Sequence, residues 1–238
     1  MYPEIICHIM SSVDGRLLPE RWTPPFDGTP TGELMDAYAA IGRKLDTDAW
    51  MFGKQTLVEG FFPKKFHATG ITPAQHPEPF VARRQSSRLF IVADPEADTL
   101  YESATVRGDD IAVILPETAP AVYLEWLRRH GISYLFAGRD GLNLAAAMQT
   151  LGDVFGVKAV SLQGGGIIDG AFLQAGLLAE LSLVVYPGID GAASSPSIFE
   201  YIGNEARPAQ GQSLELLSAE TMPHGVVWLR YKFHKSRG

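Results

Sequence analysis

The chain has one cysteine, Cys7, which excludes an intramolecular disulfide framework and any Cys-x-x-Cys motif. A zinc nucleobase deaminase is excluded with it, because its paired cysteine ligands are missing. The strand-like run around Cys7 points to a buried, inert thiol and a reducing compartment. No apolar run approaches the ~20 residues that a membrane-spanning helix needs, and the N-terminus lacks the basic and apolar regions of a signal peptide. A soluble, cytoplasmic protein is expected, with no membrane partner. Positive charge is also scarce. Twenty Lys and Arg against 27 Asp and Glu leave a net charge of −7, the wrong balance for a nucleic-acid footprint. Repeats, low-complexity tracts and interdomain linkers are absent, so a single domain over residues 1–238 is the economical reading.

What is present centres on Gly164-Gly165-Gly166. These glycines lie between an apolar run, Val157 to Leu162, and a helix-like stretch, Ile168 to Ala175. Without Cβ atoms they let backbone N–H groups approach a phosphate, and a helix start adds partial positive charge. A tight strand-to-helix turn crowded by neighbouring backbone explains the same letters equally well. Neither G-x-G-x-x-G nor G-x-x-x-x-G-K-[ST] occurs.

Strand and helix patterns alternate along the chain. Strands are expected at Glu4–Met10, Asp48–Phe52, Leu89–Ala93, Ile111–Leu115, Ile132–Ala137 and Leu178–Tyr186. Helices are expected from Thr31, as N-cap, through Leu34, Tyr38, Ile41 and Leu45, over Ala119–His130, and around Leu144, Met148, Leu151 and Phe155. Pro196 to Ile202 suggests a short helical segment, and Ser213–Ala219 with Val226–Phe233 reads as a terminal antiparallel hairpin. The fold class is α/β, with a mixed, mostly parallel central sheet flanked by helices.

Several polar groups fall where such sheets hold ligands. Ser12 and Asp14 follow the first strand in an Asp-Gly turn. Residues 18–30 form a Pro-rich loop that reads either as a lid or as surface decoration. Glu33, in the first helical turn, compensates the helix dipole by default. Gly53-Lys54-Gln55-Thr56 makes a second strand-glycine-helix junction, where Lys54 and Thr56 suit a phosphate or, equally, a solvated lysine and a cap. The excursion over residues 60–87 carries His67 and His76 without metal-ligand spacing. His224 reads as a solvated turn residue.

The order of these features resembles a known family. The Ser-Val-Asp-Gly-Arg turn, the Gly53-Lys54-Gln55-Thr56 junction, Asp94 after the third strand, the Gln163-Gly-Gly-Gly run, DGAFLQAGLLAEL and the closing LELLSAE…HGVVWLRYKF come in the same sequence. They are similar to dihydrofolate-reductase-like enzymes, typified by the reductase domain of the riboflavin-biosynthesis deaminase/reductase and its free-standing relatives. The resemblance implies a nicotinamide cofactor and hydride transfer to a small-molecule C=N carbon, as in a phosphoribosylamino-pyrimidine. It implies that Gly53, Lys54, Thr56 and Asp94 lie at the phosphate or ribose of the cofactor, and that Gly164, Gly165, Gly166 and Ile167 cradle its pyrophosphate. Ser12, Asp14 and Gln163 would border the substrate, with Asp14 or Glu33 supporting protonation and no metal required. NADPH is the expected cofactor and NADH the alternative, since Asp94, Glu96 and Asp98 oppose a 2′-phosphate. A homodimer through the terminal strands and an apolar edge at Leu181–Tyr186 is expected.

Three departures bear on the substrate. Gln163 stands where the family usually has Glu, Lys54 where Arg is common, and Glu59-Gly60-Phe61-Phe62-Pro63 where an Asp-Asp-Pro pattern follows the junction. A pterin or other imine-bearing ring is therefore an alternative substrate, and a noncatalytic nucleotide-binding relative is the rival from another class.

Overall fold

In the computed structural model the described residues are 1–67, 70, 72, 76 and 78–235. Part of the excursion expected at residues 60–87, namely 68–69, 71, 73–75 and 77, lies outside them. The chain divides into two compact units, Met1–Pro3 with Thr47–Val160 and Glu4–Asp46 with Ser161–Gly238.

The first unit is a parallel sheet with helices. Strands β2 (Ala49–Gly53), β3 (Leu89–Ala93), β5 (Asp109–Leu115) and β6 (Ser133–Phe136) are neighbours in that order. The two-residue β4 (Thr105–Val106) runs antiparallel to the start of β5 and escaped the sequence pattern because of its length. Continuous apolar runs such as LFIVA are buried along β3, as expected of parallel strands covered on both faces. Helices α2 (Lys54–Gly60), α3 (Ala121–Arg129) and α4 (Leu144–Asp153) belong to this unit. Its core gathers Phe52, Leu57, Phe90, Tyr101, Tyr123 and Leu127. The unit boundary falls within β7 (Ala159–Leu162).

In the second unit β1 (Glu4–Ser11) pairs in parallel with β8 (Glu180–Val185), and β8 pairs antiparallel with β10 (Val227–Lys235). Strand β9 (Gln212–Thr221) closes the hairpin expected from the C-terminal pattern. Helix α1 (Thr31–Arg43) buries Leu34 and Ile41 against a core with Met10, Trp22, Val184 and Trp228. Its N-cap is Pro30 rather than Thr31: the proline supplies extended backbone, and no side chain caps the helix. Helix α5 (Gly166–Gln174) follows the glycine run.

Two expectations fail in this unit for packing reasons. Pro196–Ile202 is not helical. Ser197 bridges to Arg16, and the Glu200 N–H donates to the Gly166 carbonyl, so the backbone groups of a helix turn are spent elsewhere. The edge expected at Leu181–Tyr186 is not an edge, because β8 has β1 on one side and β10 on the other. The terminal strand of this sheet is β9, with Leu214, Leu216 and Leu217 about half exposed. Among the described residues, no helix is long and apolar enough to cross a membrane.

Candidate functional site

In the second unit β1 delivers Ser12 and Asp14 to a turn in which Gly15 takes a positive φ of 77°. The Ser12 hydroxyl donates to Asp14 Oδ1 over 2.6 Å and accepts from the Arg16 N–H over 3.0 Å. Asp14 also accepts the backbone N–H groups of Asp190, at 3.1 Å, and Gly191, at 2.8 Å. The Ser12 hydroxyl, with these two amides, holds the Asp14 carboxyl down at about 2. It is an anion at neutral pH and an acceptor only, so support for protonation from it would come through its charge and lone pairs rather than by its own proton. Its visible work is to tie the strand-one turn to the loop beyond β8. Arg16 adds to that tie by donating from Nη1 to the Ser195 carbonyl over 2.8 Å, while its buried Nε has no hydrogen-bond partner.

Glu33 is exposed in the first turn of α1, where its charge complements the helix start. The His224 side chain is not simply solvated as expected, because it meets the Thr29 hydroxyl at 2.8 Å and Asp27 at 2.9 Å.

The glycine run has two structural causes. Gly164 takes a φ of 83°, and a Cβ there would stand 2.7 Å from Ile9 Cδ1. At Gly166 a Cβ would stand 2.2 Å from the Ser197 carbonyl oxygen, and at Gly170 2.1 Å from that of Glu200. Close backbone packing therefore accounts for Gly166 and Gly170 without a ligand. Gly165 is the N-cap of α5 with no side-chain cap, and Ile167 beside it is exposed. The Gly164–Gly165 peptide is cis.

Beneath this loop lies Asp169, the acid that opens the DGAFLQAGLLAEL stretch and for which no role was expected. It is fully buried, its oxygens have no hydrogen-bond partner beyond the neighbouring Cys7 thiol, and Oδ2 would stand 3.5 Å from a Cβ at Gly164. Burial raises its pKa well above the usual carboxylate value, and burial likewise raises the Cys7 thiol. A lone acid in the apolar stretch GIIDGAF was the available signal. Gln163, just before the run, donates from Nε2 to the Ser161 hydroxyl over 3.2 Å.

In the first unit the parallel register pairs Gly53 with Ala93, which sets Lys54 and Asp94 side by side at the C-terminal ends of β2 and β3. Gly53 is the N-cap of α2, and Thr56 lies in its first turn. Lys54 is not the solvated lysine that the letters also allowed. Its ammonium pairs with Asp94 at 3.0 Å and with Glu96 and Asp98, and its side chain is only 17% exposed. Burial alone would lower the Lys54 pKa, but the hydrogen bonds to Asp98, Glu96 and Asp94 outweigh it and hold the ammonium above its ordinary value. Asp98 also binds Lys65 at 2.7 Å, and the buried Asp94 accepts the Thr99 N–H at 3.1 Å. These three carboxylates approach closely enough to suit a metal ion, but the Lys54 ammonium already serves them as cation.

The RibD C-terminal domain model matches residues 3–228. No curated protein matches in sequence. Among solved structures, a pyrimidine reductase-like protein of Corynebacterium diphtheriae superimposes with a TM-score of 0.65 at 18% identity, covering 98% of this chain and 93% of its own. RibD of Acinetobacter baumannii gives 0.60 at 20% identity and is covered over 58% of its length. The riboflavin biosynthesis reductase Rib7 of Saccharomyces cerevisiae gives 0.59 at 13% identity, with 98% of this chain and 90% of Rib7 covered. At these identities the likeness is one of fold: an α/β architecture with a mixed, mostly parallel sheet and C-terminal antiparallel strands. With the family model spanning nearly its whole length, the chain belongs to the RibD C-terminal domain family.

Proposed function

We propose that the protein is an NAD(P)H-dependent reductase that reduces a C=N carbon of a small heterocyclic substrate, with a phosphoribosylamino-pyrimidine as the first candidate. The family match over residues 3–228 carries this reading. The nicotinamide would supply the hydride, so the chain's own contribution is binding, orientation and exclusion of water.

The residues present suit such a cofactor. The α5 start after Gly164-Gly165-Gly166, with Ile167, would meet a pyrophosphate through its backbone. Gly53, Lys54, Thr56 and Asp94 would meet the phosphate or ribose at the ends of β2 and β3. Ser12 and Gln163 would contact substrate, while Asp14 would orient it as an acceptor. The homodimer of this reading would form along the free edge of β9.

Reduced-nicotinamide absorbance, followed with the phosphoribosylamino-pyrimidine, tests the proposal. Substrate-dependent loss of absorbance is expected. Dinucleotide binding without oxidation across a panel of pyrimidine and pterin substrates would instead make the chain a binding relative.

A further inference from the structure

Resting on the reading of Asp14 as a substrate-site residue, we propose that His224 is a positioning residue: it latches the Pro-rich segment 18–30 to the β9–β10 turn, and its protonation steadies the loop that holds Asp14. Asp27 Oδ1 accepts the Thr29 hydroxyl, at 2.7 Å, and the Thr29 N–H, at 3.0 Å, while Oδ2 lies 2.9 Å from His224 Nδ1. The one proton of the Thr29 hydroxyl is therefore spent on Asp27. The 2.8 Å contact between that hydroxyl and His224 Nδ1 then makes the ring nitrogen the donor to both oxygens. A neutral ring keeps this arrangement only in the tautomer with hydrogen on Nδ1, whereas the charged ring always carries that hydrogen and adds charge assistance. The Thr29 hydroxyl, His224 and the Thr29 amide hold the Asp27 carboxyl down at about 2. It is thus an anion throughout the interval in which imidazoles change charge, about pH 5 to 8.

The backbone at His224 takes a φ of 63°, a left-handed value that is uncommon for a residue with a Cβ. From there contacts run to Asp14 within one compact unit. In segment 18–30 the Thr23 N–H donates to the Ile189 carbonyl over 3.0 Å, the Thr23 hydroxyl accepts the Ile189 N–H over 3.0 Å, and Arg21 pairs with Asp190 at 3.2 Å. The next two amides of that loop, Asp190 and Gly191, are the ones that hold the Asp14 carboxylate. The loop also reaches the turn itself, since a Cβ at Gly225 would stand 3.4 Å from Pro187. Of the charged groups on the segments packed here, Asp27 pairs with His224, and Arg21 and Asp190 pair with each other. Among the described residues, Asp27 is the ion-pair partner the imidazole meets.

Amide hydrogen exchange of the whole protein at a series of pH values, compared with His224→Asn, tests this without turnover. Asparagine tolerates left-handed backbone, so the variant keeps the turn and loses only the titrating donor. Protection of the Asp190 and Gly191 amides, taken as the ratio of unsubstituted protein to variant, is expected to fall about two- to fivefold as pH rises through the imidazole interval, the scale of an exposed ion pair. The buried His8 acts in the opposite sense and is common to both proteins, so the ratio removes it. Asp27→Asn should abolish the same step. A ratio that does not change with pH, or a step that survives Asp27→Asn, would overturn the inference and leave the reductase reading standing. In turnover, substrate KM should carry the step in the unsubstituted protein and lose it in His224→Asn; a KM without it would overturn the positioning role. A stepped exchange ratio in a protein that oxidises reduced nicotinamide with no substrate would count against the reductase reading alone.

Discussion

His8 and Tyr38 stack face to face, with ring centroids 4.3 Å apart and planes 7° from parallel. The pair belongs to a closed polar network. Trp228 Nε1 donates to the Ser182 hydroxyl over 2.8 Å, that hydroxyl lies 3.0 Å from His8 Nδ1, and His8 Nε2 lies 3.2 Å from the Tyr38 carbonyl. A tautomer with hydrogen on Nε2 satisfies every member: Ser182 donates to Nδ1 and Nε2–H to the carbonyl. A second ring proton would make the Ser182 hydroxyl an acceptor from both Nδ1–H and Trp228 Nε1–H, and it would place a charge in a buried site.

Burial accordingly lowers the His8 pKa from 6.5 to about 4. The unfolded chain binds this proton at higher pH than the folded one, so stability falls as pH drops from about 6.5 through about 4. The loss approaches roughly 3 kcal/mol once both values are passed. Urea unfolding at a series of pH values measures it. In His8→Gln the His8 part of the slope should vanish, and an unchanged slope would assign it to other groups.

Asp14→Asn should speed hydrogen exchange at the Asp190 and Gly191 amides, which lose a carboxylate acceptor. Turnover should fall with cofactor affinity intact, and unchanged turnover would remove Asp14 from the site. Because the carboxyl sits near 2, it stays ionised well below neutrality. Its acceptor role is lost only as pH falls through that value, and no limb of a neutral pH–rate profile should belong to it.

Gly166→Ala and Gly170→Ala should each destabilise the protein without any ligand present, by roughly 1–3 kcal/mol, the usual cost of overpacking. The added methyls would meet backbone carbonyls at Ser197 and Glu200 rather than flexible side chains. Thermal unfolding of cofactor-free protein measures this. Wild-type stability in both variants would remove the packing explanation for these glycines.

If β9 forms the dimer edge, Leu216→Lys and Leu217→Glu should weaken association, each removing about 1 kcal/mol of apolar burial. Sedimentation equilibrium measures the shift. A monomer at every concentration of the unsubstituted protein would end the dimer proposal. The edge has no proline or lysine along its ten residues to discourage pairing.

Much of the architecture could be read from local pattern. The strands EIICHIMS and LFIVA are long apolar runs whose burial follows from composition alone, and the heptad-like spacing of Leu34, Tyr38 and Ile41 marks α1. The same local pattern placed the glycine run ahead of α5 and Lys54 at the start of α2. These are near-neighbour properties of the chain, governed by backbone sterics and hydrophobic period.

What only the tertiary structure decided are relationships across long stretches of sequence. The commitment of Lys54 to carboxylates some forty residues away, the capture of Asp14 by the amides of Asp190 and Gly191, and the histidine network through Ser182 and Trp228 have no local signature. The non-helical course of residues 196–202 and the interior position of β8 are of the same kind. Charge, hydrogen bonding and strand pairing act through space, so the letters show which groups are present while the fold determines which of them are already taken.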